Sequence, residues 1–517
     1  MNETEAAPEG LSETVVRGVG LAGAGYALAQ VLNLGFYLVL ARLATPDDFG
    51  QYAAGALLVS IGLLFTESGM MAAIIHRRDR VDEAASTAVI ATAVAGALFA
   101  LFALAVSPLI GSLFHDSKVG AVAAAVSGLL FLRSLLVVPE ALLARRMSFL
   151  RRVVIEPAGV VAFGVAAVIA TANGLGVWGL VIGNYVQIAT DVLLSWALVG
   201  WRPRLRDASV ELWRELVGYG RHVVATTALL RAEDQVPVLL LGRFAGTAPL
   251  GQYRYANRIS TTSLALVVQG ASYVLFPALA RISHQGPRFV DASLRCLRMM
   301  AAIGLPLGLV LLPLGVPAAV ILFGDVWRDA GYAAMALAGF PAGSTLISFS
   351  AVVFKSAGRP DIMTRVHAVT LVAMTAAMVA LLALLPFDLV GVAAGISIVA
   401  VVGGGYGLWR VGNVLDVSIA DLVSQIAAPA AAAVEMAAAM VVVEFLVVHA
   451  ADKATLPGLL LLGAEFLASA ILYGGLLRML GPATFKELRS MAARLRPRGG
   501  RGGAGDSEQI PEAVSTR

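Results

Sequence analysis

The sequence predicts an all-α polytopic membrane protein. About fourteen transmembrane helices are expected, as two pseudo-symmetric six-helix bundles plus two C-terminal helices. Three observations lead there. Of the 517 residues, 58% are hydrophobic and 14% are charged, against roughly 45–50% and about 25% in soluble domains. Fourteen apolar runs are each about as long as the roughly 20 residues a bilayer requires. A fourteen-residue segment also recurs at an offset of 201 residues. A soluble fold has no interior large enough for so much apolar surface. Cytosolic enzymes, secreted disulfide scaffolds and nucleic-acid-binding domains are therefore excluded. The single cysteine, Cys296, excludes an intrachain disulfide and a thiolate metal cage.

The elements follow in order. Segment 1–17 carries Glu3, Glu5, Glu9 and Glu13 ahead of its first basic residue, Arg17. That is the reverse of a secretion-signal start, so no cleavage is expected. Runs 18–42, 51–75, 85–109, 119–142, 153–172 and 176–198 make an N-lobe over 18–206. Turn residues such as Thr45-Pro46-Asp47-Asp48 and Asn173-Gly174 separate them. A C-lobe over 207–420 begins with a short interfacial helix, 207–220, whose Val210, Trp213 and Val217 share one face. Runs 221–242, 251–277, 293–322, 331–354, 363–385 and 390–410 follow. Pro306 and Pro313 predict a kink in the long ninth run. Runs 422–448 and 457–478 form an appendage over 421–479. The tail, 480–517, starts as a basic helix and ends in a Gly/Arg-rich stretch without structural signal. The GGGYG segment, Gly403–Gly407, predicts close helix packing.

Charge distribution sets the topology. With the N-terminus inside, 29 of the 38 Lys and Arg residues fall near the inner face and 5 near the outer. Both termini are therefore expected in the cytoplasm. The repeat pairs Leu40–Ala53 with Leu241–Arg254. Leu40/Leu241, Arg42/Arg243, Ala44/Ala245, Gly50/Gly251, Gln51/Gln252 and Tyr52/Tyr253 are identical. Each copy follows the first helix of a six-helix set. Six helices is an even number, so the copies point the same way, a known transporter design with the substrate site between the halves.

Four arginines remain within the runs: Arg133, Arg231, Arg254 and Arg258. A midplane charge costs about 2.5–3.5 kcal/mol on insertion scales, so each must face a wet cavity or a partner. Arginine stays charged when buried, and its fork matches phosphate oxygens. One reading is an anion site formed by these four with Tyr255 and Asn257. The other is internal pairing, for example of Arg231 with Glu233 or Asp234. Glu67, Glu233 and Asp234 are candidates for coupling to a proton or cation gradient, or simple counter-ions. Glu435, Glu444 and Glu465 in the last two runs either pair with each other or face a groove. No P-loop, HExxH, CxxC or GxSxG motif occurs, and the six histidines are scattered. No enzyme chemistry, cofactor or metal site is expected.

Several segments together resemble a family. They are ARLATPDDFGQYAAGALLVSIGLLFTESGMMAAIIHR after the first run, LLARRMSF after the fourth and GVWGLV opening the sixth. LGQYRYANRIS and LFPALARIS in the eighth and KSAGRPDI after the tenth complete the set. In order and spacing they are similar to the Wzx-type oligosaccharide (polysaccharide repeat-unit) flippases of the multidrug/oligosaccharidyl-lipid/polysaccharide exporter superfamily. The resemblance implies alternating access between two bundles and a cationic central cavity. It implies undecaprenyl-pyrophosphate oligosaccharide as substrate, moved to the outer leaflet for surface or exopolysaccharide synthesis. It also implies a lipid-tail groove beside the last two helices, and a polysaccharide polymerase and co-polymerase as partners. A peptidoglycan-precursor flippase and a multidrug cation exporter of the same superfamily remain alternatives.

Overall fold

The computed structural model describes residues 9–66, 68–77, 79–146, 151–270, 275–384, 388–453 and 455–495. Its helices are α1 (Glu9–Leu43), α2 (Pro46–Gly55), α3 (Leu57–Thr66), α4 (Ser68–His76), α5 (Val81–Leu113), α6 (Ser117–Val126), α7 (Gly128–Ser134), α8 (Val137–Arg145), α9 (Glu156–Ala170) and α10 (Val177–Val199) in the first half. The second half holds α11 (Val210–Phe244), α12 (Thr247–Gly270), α13 (Phe276–Ile282), α14 (Pro287–Leu309), α15 (Leu311–Phe323), α16 (Arg328–Ala336), α17 (Gly339–Ser356), α18 (Pro360–Leu384) and α19 (Asp388–Leu415). The C-terminal helices are α20 (Ile419–Val443), α21 (Thr455–Leu480) and α22 (Pro482–Leu495). No strand occurs among the described residues.

Ten described helices are long and apolar enough to cross a membrane, or eleven if α16 and α17, bent by 44°, form one span. Length and apolarity alone thus identify ten or eleven of the expected fourteen spans among the described residues. The other three runs are helical over most of their described residues but do not read as apolar spans, for physical reasons. Run 51–75 is divided among α2, α3 and α4, each ten residues or fewer. Runs 221–242 and 251–277 fall in α11 and α12, which carry Arg231, Glu233, Asp234, Arg254 and Arg258. Large apolar side chains such as Leu101, Leu193, Val372, Leu384 and Ile471 lie exposed on the other helices. In water that surface would drive aggregation; in lipid it is solvated. The chain is a multi-pass membrane protein.

Two local expectations resolve differently. The ninth run breaks at Val310, between its two prolines, where α14 ends and α15 begins. Segment 207–220 is not a separate helix: Val210–Phe244 is one helix of 35 residues, capped by Ser209, whose hydroxyl accepts from the Glu211 N–H. Gly218 and Gly220 alone do not stop it, because no αL cap or proline follows. Its first turns pack on the first half. Leu216 is buried there with Ala73, Ile74, Leu142 and Val199, and Glu215 meets Arg77 at 2.9 Å. Its last turns carry Val238 and Leu241 into a core shared with Ala54, Leu57 and Phe114 of the first half.

The repeat joins the halves. Thr45 and Asp48 form a capping box that starts α2, with Pro46 in its first turn. A Cβ on Gly50 would overlap the Thr247 carbonyl, and a Cβ on Gly251 would overlap the Pro46 carbonyl. At the 201-residue offset Pro46 matches Thr247 and Gly50 matches Gly251. The two approaches are therefore one contact made in both directions, as a two-fold axis requires. The arginines repeat the pattern. Arg42 donates to the Ile321 and Leu322 carbonyls at 2.8 and 3.2 Å, at the end of α15. Its mate Arg243 donates to His115 Nδ1 at 2.8 Å, just beyond α5. Each thereby reaches the third helical unit of the opposite half. Gln51 and Gln252 serve their own halves: Gln51 donates to Asp116 at 3.1 Å, and Gln252 accepts from the Ala330 N–H at 2.9 Å. Each ties the motif to the start of its own half's fourth unit. The GGGYG segment packs closely, as expected: a Cβ on Gly404 would fall 2.9 Å from the Gly343 carbonyl of α17.

Candidate functional site

Below the repeat contact, α11, α12, α17, α18 and α19 enclose a cavity of about 460 Å³, with Ser60 of α3 on the facing side. Arg231, Glu233 and Asp234 of α11 and Arg254 of α12 supply its charge, and Gln235 and Asn257 add neutral amides. A helix carrying such residues stays folded in a membrane when they open onto a wet space between helices. A second pocket of about 190 Å³ adjoins it through Arg254, Asn257 and Thr261, and is walled by Tyr37, Phe49, Tyr52, Tyr255 and Arg258.

The charges divide into engaged and open groups. Glu233 faces His367 of α18, both carboxylate oxygens lying 3.1 Å from the ring Nδ1. Arg258 binds Asn33 Oδ1 and lies 3.9 Å above the centre of the Tyr37 ring, a cation–π contact with α1. Among the described residues, neither Arg231 nor Arg254 has a carboxylate within 4.0 Å, so the pairing of Arg231 with Glu233 or Asp234 considered from the sequence does not form. Asp234 lies within electrostatic reach of both arginines without contacting either. Two guanidinium groups therefore face the cavity with their donors open.

The remaining candidates sit elsewhere or serve differently. Arg133, in the last turn of α7, does not line either cavity; it lies within electrostatic reach of Tyr52, as Arg254 does. Tyr255 is 2% exposed and its hydroxyl donates to the Tyr37 carbonyl at 3.0 Å. Its ring packs against Phe49, Phe323 and Trp327 at 4.9, 4.8 and 4.0 Å between centres. It clamps α12 to α1 and α15, in an aromatic cluster that also receives the Trp327 Nε1 donation to the Ala41 carbonyl at 2.8 Å. Asn257 lines both cavities. Glu67 lies outside the described residues. His367, Ser344, Ser348 and Thr370 line the large cavity and were not singled out from the sequence. Their signal is weak but present: His367 is a titratable group within an apolar run, and Ser344 and Ser348 are one helical turn apart.

Comparison with known proteins agrees with this architecture. A family model described as polysaccharide biosynthesis protein matches residues 39–332, more than half of the chain. The succinoglycan biosynthesis transport protein ExoT of Rhizobium meliloti (strain 1021) is 24% identical over 330 residues, 62% of this chain and 64% of that protein. The teichuronic acid biosynthesis protein TuaB of Bacillus subtilis (strain 168) is 20% identical over 303 residues, 58% of this chain and 62% of that protein. The matched region thus spans less than two thirds of either relative. Among solved structures, the lipid II flippase MurJ in an inward closed conformation superposes with a TM-score of 0.72 at 13% identity, covering 91% of this chain and 99% of that one. An inward-facing multidrug resistance MATE family transporter of the MOP superfamily gives 0.60 at 16% identity, covering 75% and 96%. These structures share its fold, and the chain belongs to the polysaccharide biosynthesis protein family.

Proposed function

We propose that this protein moves a lipid-linked polysaccharide precursor across the inner membrane: an undecaprenyl-pyrophosphate oligosaccharide, flipped from the cytoplasmic to the outer leaflet. The carrying observation is the pair Arg231 and Arg254, open-handed in a cavity walled by second-half helices with Ser60 of the first half at its edge. Two unpaired guanidinium groups match a diphosphate, which offers several oxygens for bidentate binding. About 460 Å³ falls within the usual range for small-ligand sites. Asn257, Ser344, Ser348 and Thr370 provide neutral hydrogen-bonding groups beside them for sugar hydroxyls. The kinship with a succinoglycan transport protein supports a saccharide cargo.

In this reading the reciprocal contact of α2 with α12 closes the outer end of the cleft. The head group enters from the cytoplasmic side, the polyprenyl tail stays in the bilayer beside α20 and α21, and rocking of the halves parts the contact. Glu233 with His367, and Asp234, are the groups placed to sense a proton or cation gradient; Glu67 belongs to the same proposal. Substituting Arg231→Ala and Arg254→Ala together tests it. The lipid-linked oligosaccharide, measured by mass spectrometry in lipid extracts, should accumulate on the inner leaflet while the protein remains in the membrane. Normal surface polymer in that variant would overturn the reading. The mass of the accumulated lipid separates a polymer repeat unit from a peptidoglycan precursor.

A further inference from the structure

The C-terminal helix pair holds two acids that the cleft does not use. Glu444 ends α20 and Glu465 lies in the middle of α21; they are 3% and 4% exposed. Glu444 accepts from the Ala450 N–H at 3.0 and 3.3 Å, through the tight turn that follows α20. Neither oxygen of Glu465 has a hydrogen-bond donor. Among the described residues, the charged group within interaction range of Glu465 is the Glu444 carboxyl, across the packing of α20 on α21. No cation among the described residues lies within 4.0 Å of either carboxylate; α14, α19 and α22 also pack on the pair, but Arg295 and Arg298 of α14 are engaged by Glu487 of α22, and Arg410 of α19 lies over the Trp409 ring. α15, packed against both helices, reads LLPLGVPAAVILF and has no titratable residue. α21 has no other Asp, Glu, Lys, Arg or His before Arg478. Beyond the end of α20 stand His449, Asp452 and Lys453, and Asp452 is turned toward Arg328 at 3.7 Å. Glu435, on α20, is exposed on another face.

Two ionised carboxylates cannot share such a place. Each would cost several kcal/mol to desolvate, and the two would repel in a low dielectric. One proton between them turns repulsion into a short charge-assisted hydrogen bond. Glu444 already accepts a backbone N–H and Glu465 accepts none, so the proton is placed on Glu465. We infer that Glu444 and Glu465 form a proton-binding site outside the substrate cleft, in which the Glu465 carboxyl carries one exchangeable proton and donates it to the Glu444 carboxylate. The site ties α20 to α21 only while that proton is present. It stands independently of the substrate proposed above.

Infrared spectroscopy of the purified protein in liposomes at neutral pH tests this. A carbonyl band of a protonated carboxylic acid should appear, equivalent to one group per chain, and should shift in heavy water. Glu465→Gln should abolish it. Glu435→Gln should leave it intact. Glu444→Gln should keep the band at a shifted frequency, because the proton loses its anionic acceptor. If Glu465→Gln does not accumulate in membranes, the Glu444→Gln shift decides the matter. Absence of the band in the native protein would overturn the proposal, as would an unchanged band in either Glu465→Gln or Glu444→Gln. Loss of the band on replacing choline chloride with sodium chloride would overturn it in favour of a sodium site.

Discussion

Substituting Gly50→Ala should open the end of the cleft that the repeat closes. The added Cβ meets a backbone carbonyl, that of Thr247, and not the movable end of a side chain. No rotamer change relieves the overlap, so α2 and α12 must separate. Overpacking of a tight contact costs about 1–3 kcal/mol, and each 1.4 kcal/mol is tenfold in a population. The closed form should therefore lose about 5- to 150-fold relative to the open one. Gly251→Ala should do the same, because its Cβ meets the Pro46 carbonyl across the two-fold axis. The double variant should fall well short of the sum, since one separation relieves both overlaps. Spin labels at Leu43 and Phe244, repeat mates exposed beside the contact, report the separation once the buried Cys296 is replaced by serine. Distance distributions should shift outward in both single variants and little further in the double. Unchanged distributions would refute the gate, and strictly additive shifts would refute the reciprocity.

Other residues give shorter tests. Tyr255→Phe keeps the aromatic packing but drops the hydroxyl donation to Tyr37, so thermal unfolding in detergent should show a loss of about 0.5–1.5 kcal/mol with head-group affinity unchanged. Reduced affinity at full stability would make Tyr255 a substrate contact instead. A double-mutant cycle on Glu233 and His367 should give a coupling of about 0.5–3 kcal/mol in transport free energy; zero coupling would remove that pair from the mechanism. Glu487 meets Arg298 at 2.9 Å and Arg295 at 3.2 Å, holding α22 to α14. Glu487→Gln should cost less than about 1 kcal/mol, as expected of partly exposed pairs. It should nonetheless raise protease cleavage at the α22 arginines; unchanged cleavage would show that apolar packing alone holds the helix.

Much of this was legible in the sequence, and the reason differs by feature. Apolar runs are one-dimensional, so the helices and their order could be read directly. The kink between Pro306 and Pro313 follows from ring geometry alone. The division of run 51–75 and the continuity of Val210–Phe244 could not be read, because both depend on contacts with distant helices. Arg231, Glu233, Asp234 and Arg254 announced themselves as charges in apolar surroundings. Their partners did not. That Glu233 meets His367, 134 residues away, and not its neighbour Arg231 is a fact of three-dimensional packing. Tyr255 and Arg133 illustrate the converse: Tyr255 was placed in the site by its neighbour Arg254 and Arg133 by its own charge within an apolar run, whereas packing turns the first into a clamp and leaves the second off the cavity wall.

The repeat itself divides structure from chemistry. Where the two copies agree, the residues hold the halves together: Gly50 with Gly251 and Arg42 with Arg243 cross between halves, and Gln51 with Gln252 brace each motif. Where they differ, the charges appear. At the same offset Arg231 matches Gln30, Glu233 matches Leu32, Asp234 matches Asn33, Arg254 matches Ala53 and Arg258 matches Leu57. The first half thus offers neutral partners, and Asn33 accepts from Arg258. A symmetric contact suits a gate that must open and close as a unit, because both sides meet the same energetic demand. A binding site for one anionic head group has no use for a second copy. Duplicated arginines across the axis would repel each other in a low-dielectric cleft whenever it stood empty. In the proposed transport cycle, charges retained in one half would let the cleft empty and refill without that repulsion, while the matched residues would balance the contact between the halves.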